Sequence, residues 1–382
     1  MGKNVLQLHA SSGCYGGEAV ILSLSKAMKG TCYNSIVGCL ASKKKTPELG
    51  RRARMLGLDS VYFPMKVKGD PYVISEICNV VRDRNVRIIH AHGYKSNLLG
   101  LFVSKLYHIP IITTNHLFPP MPMDDWKLQL YSKFDAWFTM RHLDRIVAVS
   151  EEIKSKLVKK GLKGSHVVTI ENGIDLDEFG EVSSIDRMAL KKNLGIPSDS
   201  FVVGSLGRLT PQKGYTYLLE SAKKVVSRNS DAVFVIAGDG PLKNYLKQYS
   251  ETLGIQEKVR FLGFREDVLD VLRMMDIFVL SSIDEGLPMA MLEAMAARTP
   301  VVVTSVGDIG KVIKSRINGC LVEARDAAML AEEIEYLINN KSVRDSLCKN
   351  ALETVCRDHS KEAMCDKYVS IYEEVLAEYM MQ

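Results

Sequence analysis

The sequence predicts an α/β protein with two Rossmann-like domains, each a doubly wound parallel sheet, facing each other across a cleft. Short apolar runs rich in β-branched residues alternate with longer amphipathic segments along the whole chain. Fully apolar strands that alternate with helices indicate a parallel sheet covered on both faces. The same plan occurs twice, and 382 residues suffice for two hydrophobic cores.

The first half of the chain has seven predicted strands: Val5–Leu8, Ile36–Leu40, Val61–Phe63, Arg87–His90, Ile111–Thr114, Ile146–Val149 and Val167–Ile170. The segments between them predict helices, among them Glu18–Met28, Tyr72–Arg84, Asp124–Arg141 and Glu151–Lys159. Small and polar residues at 175–190 indicate a linker. We therefore expect a first domain over residues 1–180.

The second half repeats this plan and predicts a second domain over residues 181–362. Its strands are Phe201–Leu206, Val233–Ala237, Val259–Leu262, Ile277–Leu280, Val301–Val303 and Gly319–Val322. Its helices are Gly214–Arg228, Leu242–Leu253, Pro288–Ala297 and a helical stretch from Ala327 to the end.

Composition and charge are those of an ordinary globular protein. The formal net charge is only +5, and no basic patch is interleaved with aromatic residues, so we expect no nucleic acid partner. The eight cysteines have no zinc-like spacing, which predicts reduced thiols and no metal site. No apolar run reaches membrane-spanning length and the first strand begins at Val5, so we expect a cytoplasmic protein.

Binding residues are expected just after the strands, because ligands in open α/β sheets bind beyond the carboxyl ends of the strands. The loop 207–214 follows one such strand and contains Arg208 and Lys213. Cations and free N–H groups beside a helix start can hold a phosphate. The alternative is that both side chains are ordinary surface charges.

The segment 285–294 gives a sharper signal. Pro288 suits the first position of a helix, whose free N–H groups then face the loop before it. Glu285 lies in that loop and can accept hydrogen bonds from sugar hydroxyls. Glu293 lies in a largely apolar helix, where a carboxylate needs partners. A vicinal diol such as a ribose supplies two donors; the alternative partner is an arginine, Arg298 or Arg208.

These residues resemble a known family. Glu285 and Glu293, separated by seven residues, resemble the E-x7-E signature of retaining glycosyltransferases with the GT-B fold. The order and spacing of further segments are similar to glycosyltransferase family 4 (group 1) over nearly the whole chain. Those segments are 16–18, 113–116, 147–150, 172–175, 207–209, 213–214, 238–242, 261–263, 285–288 and 292–295.

The resemblance implies transfer of a sugar from a nucleotide-sugar donor to a hydroxyl acceptor, with retention and without a metal or other cofactor. It implies catalytic roles for four residues: His116, Arg208, Lys213 and Glu285. Arg208 and Lys213 hold the donor diphosphate, and Glu293 binds the ribose. The remaining donor contacts come from Gly16, Gly17, Gly263, Phe264, Arg265, Glu285, Gly286, Leu287 and Pro288.

By the same resemblance, the first domain binds the acceptor and the second binds the nucleotide sugar, with the final helix, 363–382, packing back on the first domain. UDP donors are favoured because they are commoner in this family, and the products are polysaccharides, glycolipids or other glycoconjugates. A nucleotide-sugar epimerase, a glycoside phosphorylase and a non-catalytic partner subunit remain alternatives. The sequence leaves the oligomeric state open.

Two clusters in the first half admit more than one interpretation. His90, His92 and His116 lie near strand ends, where three histidines could form a metal site. No Asp or Glu joins them at the spacing of metal ligands. Strand alternation predicts a structural role for His90 and places His92 beyond the strand, so only His116 is predicted to be functional. The aromatic and basic residues of 124–145 form either a core face or a peripheral contact with the cytoplasmic membrane face.

Overall fold

The computed structural model describes residues 2–10, 16–42, 47–65, 71–116, 138–180 and 187–381. The chain forms two compact units, one of Met1–Gly173 with Lys361–Gln382 and the other of Ile174–Ser360. The predicted divisions lay a few residues later, after residues 180 and 362. The earlier divisions have a physical reason: the Ile174 N–H donates to the His359 carbonyl at 2.9 Å, which ties both chain passages to the second unit.

The first unit contains a seven-stranded sheet in which every described pairing is parallel. Its strands are β1 Lys3–His9, β2 Tyr33–Ser42, β3 Asp59–Met65, β4 Val86–His92, β5 Ile111–Asn115, β6 Arg145–Ala148 and β7 Val167–Thr169. The order is β3-β2-β1-β4-β5-β6-β7, so the predicted strands all form and the order reverses between β1 and β4. That reversal is where doubly wound sheets open a crevice for ligands.

Before residue 173, the described residues of this unit form the helices α1 Gly16–Met28, α2 Glu48–Met55, α3 Pro71–Asp83, α4 Tyr94–Tyr107 and α5 Glu151–Lys159. The sequence did not predict α4. Its buried side includes the polar residues Ser96, Asn97 and Ser104, all fully buried, which hide the apolar periodicity of a helix. The predicted helix Asp124–Arg141 lies almost entirely outside the described residues, and its described end is a 3-10 turn at Met140–His142.

The second unit contains a six-stranded parallel sheet with the same order. Its strands are β8 Phe201–Leu206, β9 Ala232–Ala237, β10 Val259–Gly263, β11 Ile277–Leu280, β12 Val301–Thr304 and β13 Cys320–Val322. The order β10-β9-β8-β11-β12-β13 reverses between β8 and β11. The loops after these two strands are therefore the expected ligand edge of this unit.

The helices of the second unit are α6 Arg187–Asn193, α7 Tyr215–Arg228, α8 Lys243–Thr252, α9 Val268–Met274, α10 Met289–Ala296, α11 Ile309–Val312, α12 Ala327–Asn339 and α13 Lys341–Asp358. The helical stretch predicted from Ala327 onward is interrupted at Asn340 and at His359, where the backbone leaves helical geometry. No described helix is both long and apolar enough to cross a membrane.

The last helix, α14 Lys361–Met380, packs on α1 of the first unit. Tyr368 and Tyr372 on α14 are almost completely buried. Their hydroxyls bond to Thr114 and His90 of the first sheet, each at 2.8 Å. The chain end is thereby part of the first unit's core.

Candidate functional site

The loops after β8 and β11 are joined by an ion pair. The Lys213 ammonium, in the loop after β8, bonds to the Glu285 carboxylate, in the loop after β11. The Ser282 hydroxyl donates to the same carboxylate oxygen at 2.8 Å. Glu285 is only 6% exposed, so its charge depends on these partners. Lys213 has three N–H donors, and bonding to Glu285 leaves others for an anion.

The two loops also touch through their backbones. Gly214, the residue before α7, has a left-handed conformation with φ 60°, and a Cβ there would lie 2.1 Å from the Ser281 carbonyl oxygen. The Ser281 hydroxyl in turn donates to the Lys213 carbonyl at 3.0 Å. Only glycine permits both this conformation and this approach, so the position of Lys213 is fixed relative to β11.

The backbone that follows Glu285 is supported from behind by the loop after β12. Gly307 has φ 56°, and a Cβ there would lie 2.1 Å from the Glu285 carbonyl oxygen. The Asp308 N–H donates to the Gly286 carbonyl at 3.1 Å. Sequence reasoning missed Ser281, Ser282, Gly307 and Asp308; the available signal was that each closely follows a predicted strand.

The helix predicted to start at Pro288 starts one residue later in the structure. The helix α10 begins at Met289, and Pro288 has extended geometry at φ −76° and ψ 124° as the preceding cap. A proline is tolerated there because it lacks only an N–H that the helix does not use. Glu285, Gly286, Leu287 and Pro288 thus all belong to the loop before α10.

Glu293 lies within α10 and is half-buried. It forms no hydrogen bond or ion pair with another described residue, so its predicted alternative pairing with an arginine is wrong. Burial, and to a smaller extent the Glu178 carboxylate, raises the pKa of Glu293 from 4.5 to about 7. A ligand that donates hydrogen bonds to the Glu293 carboxylate would stabilise its charged form.

The remaining predicted donor residues of this unit lie in the loop after β8 and at or just after the end of β10. Arg208 is exposed in the loop after β8. The Gly263 carbonyl accepts a 2.7 Å hydrogen bond from the Gly238 N–H, which holds the loop after β10 against the loop after β9. Phe264 is 47% exposed there, and Arg265 is paired with Asp267 at 2.8 Å.

In the first unit, the structure brings Gly16, Gly17 and His116 to the same sheet edge. Gly16 and Gly17 begin α1, and a Cβ on Gly17 would lie 3.5 Å from the His116 ring. The sequence before them, residues 11–15, lies outside the described residues. The start of α1 therefore packs directly against the His116 ring.

The histidine cluster differs from its prediction. His92 is the last residue of β4 and pairs with His9 of β1, so its predicted position beyond the strand is wrong. His90 and His92 are both almost completely buried, and burial holds the pKa of each well below 6.5. Burial lowers the pKa of His116 to about 4. Within the described part of the chain, no group of three or more metal-ligating side chains is placed to hold a metal ion.

Two family models match the chain. The model described as Glycosyltransferase Family 4 matches residues 15–178, and the one described as Glycosyl transferases group 1 matches residues 186–354. The matches correspond to the two halves that the sequence divides into.

Curated relatives match this chain along 75% of its length. The UDP-Gal:alpha-D-GlcNAc-diphosphoundecaprenol alpha-1,3-galactosyltransferase of Escherichia coli is 30% identical over 291 residues, which cover 75% of this chain and 74% of the relative. The alpha-D-kanosaminyltransferase of Streptomyces kanamyceticus is 24% identical over 298 residues, which cover 75% and 77%.

Among solved structures, HepE of Anabaena in complex with UDP and glucose has a TM-score of 0.83 at 20% identity, with 97% of this chain and 100% of that chain covered. At this identity the likeness concerns the fold. Together with the two sheet orders, it confirms the predicted GT-B fold.

Proposed function

Because the chain belongs to family 4 of the glycosyltransferases (group 1), we propose that it transfers a hexosyl group from a UDP-sugar to a hydroxyl acceptor with retention of anomeric configuration. In this reaction the bond between the anomeric carbon and the diphosphate breaks, and the acceptor oxygen bonds to the same face of that carbon. The acceptor proton passes to the departing phosphate oxygen.

The observation that carries this proposal is the ion pair of Lys213 and Glu285 at the ligand edge of the second sheet. Negative charge grows on the diphosphate as it leaves, and a fixed cation stabilises that charge in the transition state. Lys213 is held by Glu285, and exposed Arg208 lies in the same loop. We assign the diphosphate to Arg208 and Lys213, which supply positive charge without a metal.

Glu293 supports a place for the ribose. Its half-buried carboxylate has a raised pKa and no described partner, and a vicinal diol would supply two hydrogen-bond donors. The base then lies along the loop Gly263–Arg265, beside the exposed ring of Phe264. The nucleotide would thus extend from the loop after β10 to the diphosphate cations.

The donor sugar is assigned to Glu285 and to the backbone of Gly286, Leu287 and Pro288. Glu285 has one oxygen bonded to Lys213 and Ser282, and carboxylates offer further lone pairs to sugar hydroxyls. In the first unit, the surface of Gly16, Gly17 and His116 is assigned to the phosphates and the transferred sugar, and the loops of that unit to the acceptor.

Two relatives favour a UDP donor and a lipid-linked carbohydrate acceptor. The name of the E. coli relative includes UDP-Gal and a diphosphoundecaprenol acceptor, and HepE was solved with UDP.

A lipid-linked acceptor requires contact with a membrane surface. Phe102 and Leu106 on α4 are 59% and 65% exposed, and Lys105 lies beside them. We assign this face to peripheral contact with the cytoplasmic membrane face. The aromatic and basic residues predicted for that role lie at 124–145, and those before Phe138 are outside the described residues. Phe138 is 39% exposed, whereas Arg145 is bonded to Glu378 on α14 and its side chain is only 14% exposed.

The test is a transfer assay with UDP-galactose, UDP-glucose and UDP-N-acetylglucosamine in EDTA, offered with lipid-linked and free sugar acceptors. We expect UDP release that depends on acceptor, and a product with the donor's anomeric configuration by NMR. Lys213→Met should lower kcat by about a hundredfold or more, whereas Lys223→Met, an exposed lysine on α7, should not change it. Inversion, or equal activity of both variants, would contradict the proposal.

Product analysis also separates the alternatives. An epimerase would convert the UDP-sugar without an acceptor, and a phosphorylase would require inorganic phosphate. A non-catalytic subunit would release no UDP with any acceptor. None of these is favoured by an observation in this structure.

A further inference from the structure

A line of buried polar side chains leads from the last helix to His116. The Tyr372 hydroxyl on α14 lies 3.2 Å from Gln7 Nε2 on β1. Gln7 Oε1 lies 2.8 Å from His92 Nε2 on β4, and His92 Nδ1 lies 3.0 Å from His116 Nε2. Gln7 is completely buried between the apolar residues Leu6 and Leu8 of that strand. The line ends at one of the residues assigned to the transferred sugar.

The direction of the Gln7 amide follows from its neighbours. Its nitrogen is 3.7 Å from the Met28 sulfur, which is only an acceptor, and it donates to the Tyr372 oxygen. The amide oxygen therefore faces His92 Nε2, and His92 must carry its proton on that nitrogen. Because burial keeps His92 neutral at neutral pH, its Nδ1 is a bare acceptor.

The tautomer of His116 is then determined as well. His92 Nδ1 can only accept, so His116 Nε2 carries a proton and donates to it. The pKa of His116, lowered to about 4 by burial, keeps this ring neutral too, which leaves His116 Nδ1 without a proton. That Nδ1 atom is buried and has no hydrogen-bond partner among the described residues.

The opposite arrangement has the Gln7 amide flipped and the protons on Nδ1 of His92 and of His116. It is less favourable at both ends of the line. It would turn the Gln7 amide oxygen toward the Met28 sulfur, so that two acceptors face each other. It would also place an unpaired N–H at His116 Nδ1, and an unsatisfied buried donor costs more than an unfilled acceptor.

We propose that His92 and Gln7 are positioning residues that hold His116 in the tautomer with a bare Nδ1, which accepts a hydrogen bond from a hydroxyl of the transferred sugar. The sugar as the ligand of this atom rests on the proposed function, whereas the tautomer is a property of the free protein. The site then selects a hydroxyl over a carbonyl or ether oxygen at that point, because a bare nitrogen has nothing to donate.

The tautomer can be measured directly in the full chain labelled with 15N-histidine. Long-range 1H–15N correlation spectra at pH 7 distinguish protonated from bare ring nitrogens, and the spectrum of His116→Gln identifies the His116 signals. We expect protonated Nε2 and bare Nδ1 for both His92 and His116. A proton on His116 Nδ1 in the wild-type protein would overturn the inference without any variant.

Two substitutions of His92 test the positioning role. The substitution His92→Asn puts an amide oxygen near the place of the lost Nδ1, where it can accept from His116, whereas His92→Leu offers no acceptor. We expect the His116 tautomer to be kept in His92→Asn and to become mixed in His92→Leu. UDP-glucose should bind about tenfold more weakly to His92→Leu than to His92→Asn. Equal tautomer patterns in the two variants would contradict the role of His92.

The two proposals fail in different ways. If UDP-glucose does not bind the wild-type protein, the proposed donor is wrong, and the spectrum of the free protein still decides the tautomer. If UDP-glucose binds and the His116 Nδ1 signal does not shift on binding, the assignment of this atom to the sugar is overturned. A shift of that signal supports it.

Discussion

The Lys213 ammonium is bonded to the Glu285 carboxylate, although the two residues are 72 positions apart in the sequence. The Lys213 side chain is 16% exposed, and the Glu285 side chain is 4% exposed. Parallel strands β8 and β11 are neighbours in the sheet, so the loops at their carboxyl ends meet. The pair thus depends on the doubly wound topology.

Removing the lysine should destabilise the fold. Lys213→Met leaves the buried Glu285 carboxylate without its cation, which costs about 3 kcal/mol in the free energy of unfolding. The double variant Lys213→Met/Glu285→Gln should recover most of that loss, since it removes the unpaired charge, while nucleotide binding stays weak. Urea denaturation measures the first effect and calorimetry the second. A single variant as stable as the wild type would show that the pair does not form.

Glu293 should make stability depend on pH. Its pKa is about 7 in the folded chain and 4.5 as an ordinary carboxyl, so the fold favours the protonated form. This contribution is fully present below about pH 4.5 and is lost as the pH rises through about 7. Wild type should therefore lose stability relative to Glu293→Gln between pH 5 and pH 8, measured by urea denaturation. A difference that is the same at both pH values would contradict the raised pKa.

The same carboxyl should link donor binding to pH. Hydrogen bonds from a ribose diol favour the charged form of Glu293, so binding should be tighter at pH 8 than at pH 6. UDP-glucose is a suitable probe because its diphosphate does not titrate in this range. Calorimetry should show this dependence in the wild type and a flat profile in Glu293→Gln, and the reverse pattern would exclude the ribose assignment.

Gly214 should tolerate no side chain. Gly214→Ala would bring a Cβ to 2.1 Å from the Ser281 carbonyl oxygen at φ 60°, which displaces the loop that carries Lys213. We expect a loss above about 2 kcal/mol in unfolding free energy and weaker UDP binding. Gly254→Ala is the control, because it has φ 74° and nothing within 4 Å of the new Cβ. If both variants lose the same stability, the contact with Ser281 is unimportant.

The buried hydroxyl of Tyr372 should stabilise the first unit. Tyr372→Phe removes a partner of both Gln7 and His90, and such a loss costs about 1–3 kcal/mol. Tyr33→Phe is a matched control, since the Tyr33 hydroxyl is buried without a partner among the described residues and its ring lies 5.3 Å from that of Tyr372. Thermal or urea unfolding should show Tyr33→Phe at least as stable as the wild type; the opposite ranking would refute the network.

The strands could be predicted because parallel strands buried on both faces are apolar throughout, as Val301–Val303 shows. Helix α4 could not, since Ser96, Asn97 and Ser104 on its buried side remove the apolar period. At the site, the sequence identified Glu285 and Lys213 separately.

The bond between Lys213 and Glu285 could not be predicted, because it depends on which strands are neighbours in the sheet. The line from Gln7 to His116 had one signal in the sequence, a single amide within an apolar strand. Its meaning depends on the register that pairs β1 with β4, and no local pattern reports that register.

Nucleotide binding by the purified chain in EDTA tests the proposed donor site most directly. Thermal shift with UDP, GDP, ADP and UDP-sugars measures it, because a ligand that binds only the folded state raises the melting temperature. UDP and a UDP-sugar should raise the melting temperature in EDTA, and the double variant Lys213→Met/Glu285→Gln should abolish the rise. No rise with any nucleotide in a folded sample, or a rise that EDTA removes, would contradict a donor site built on Arg208, Lys213 and Glu293.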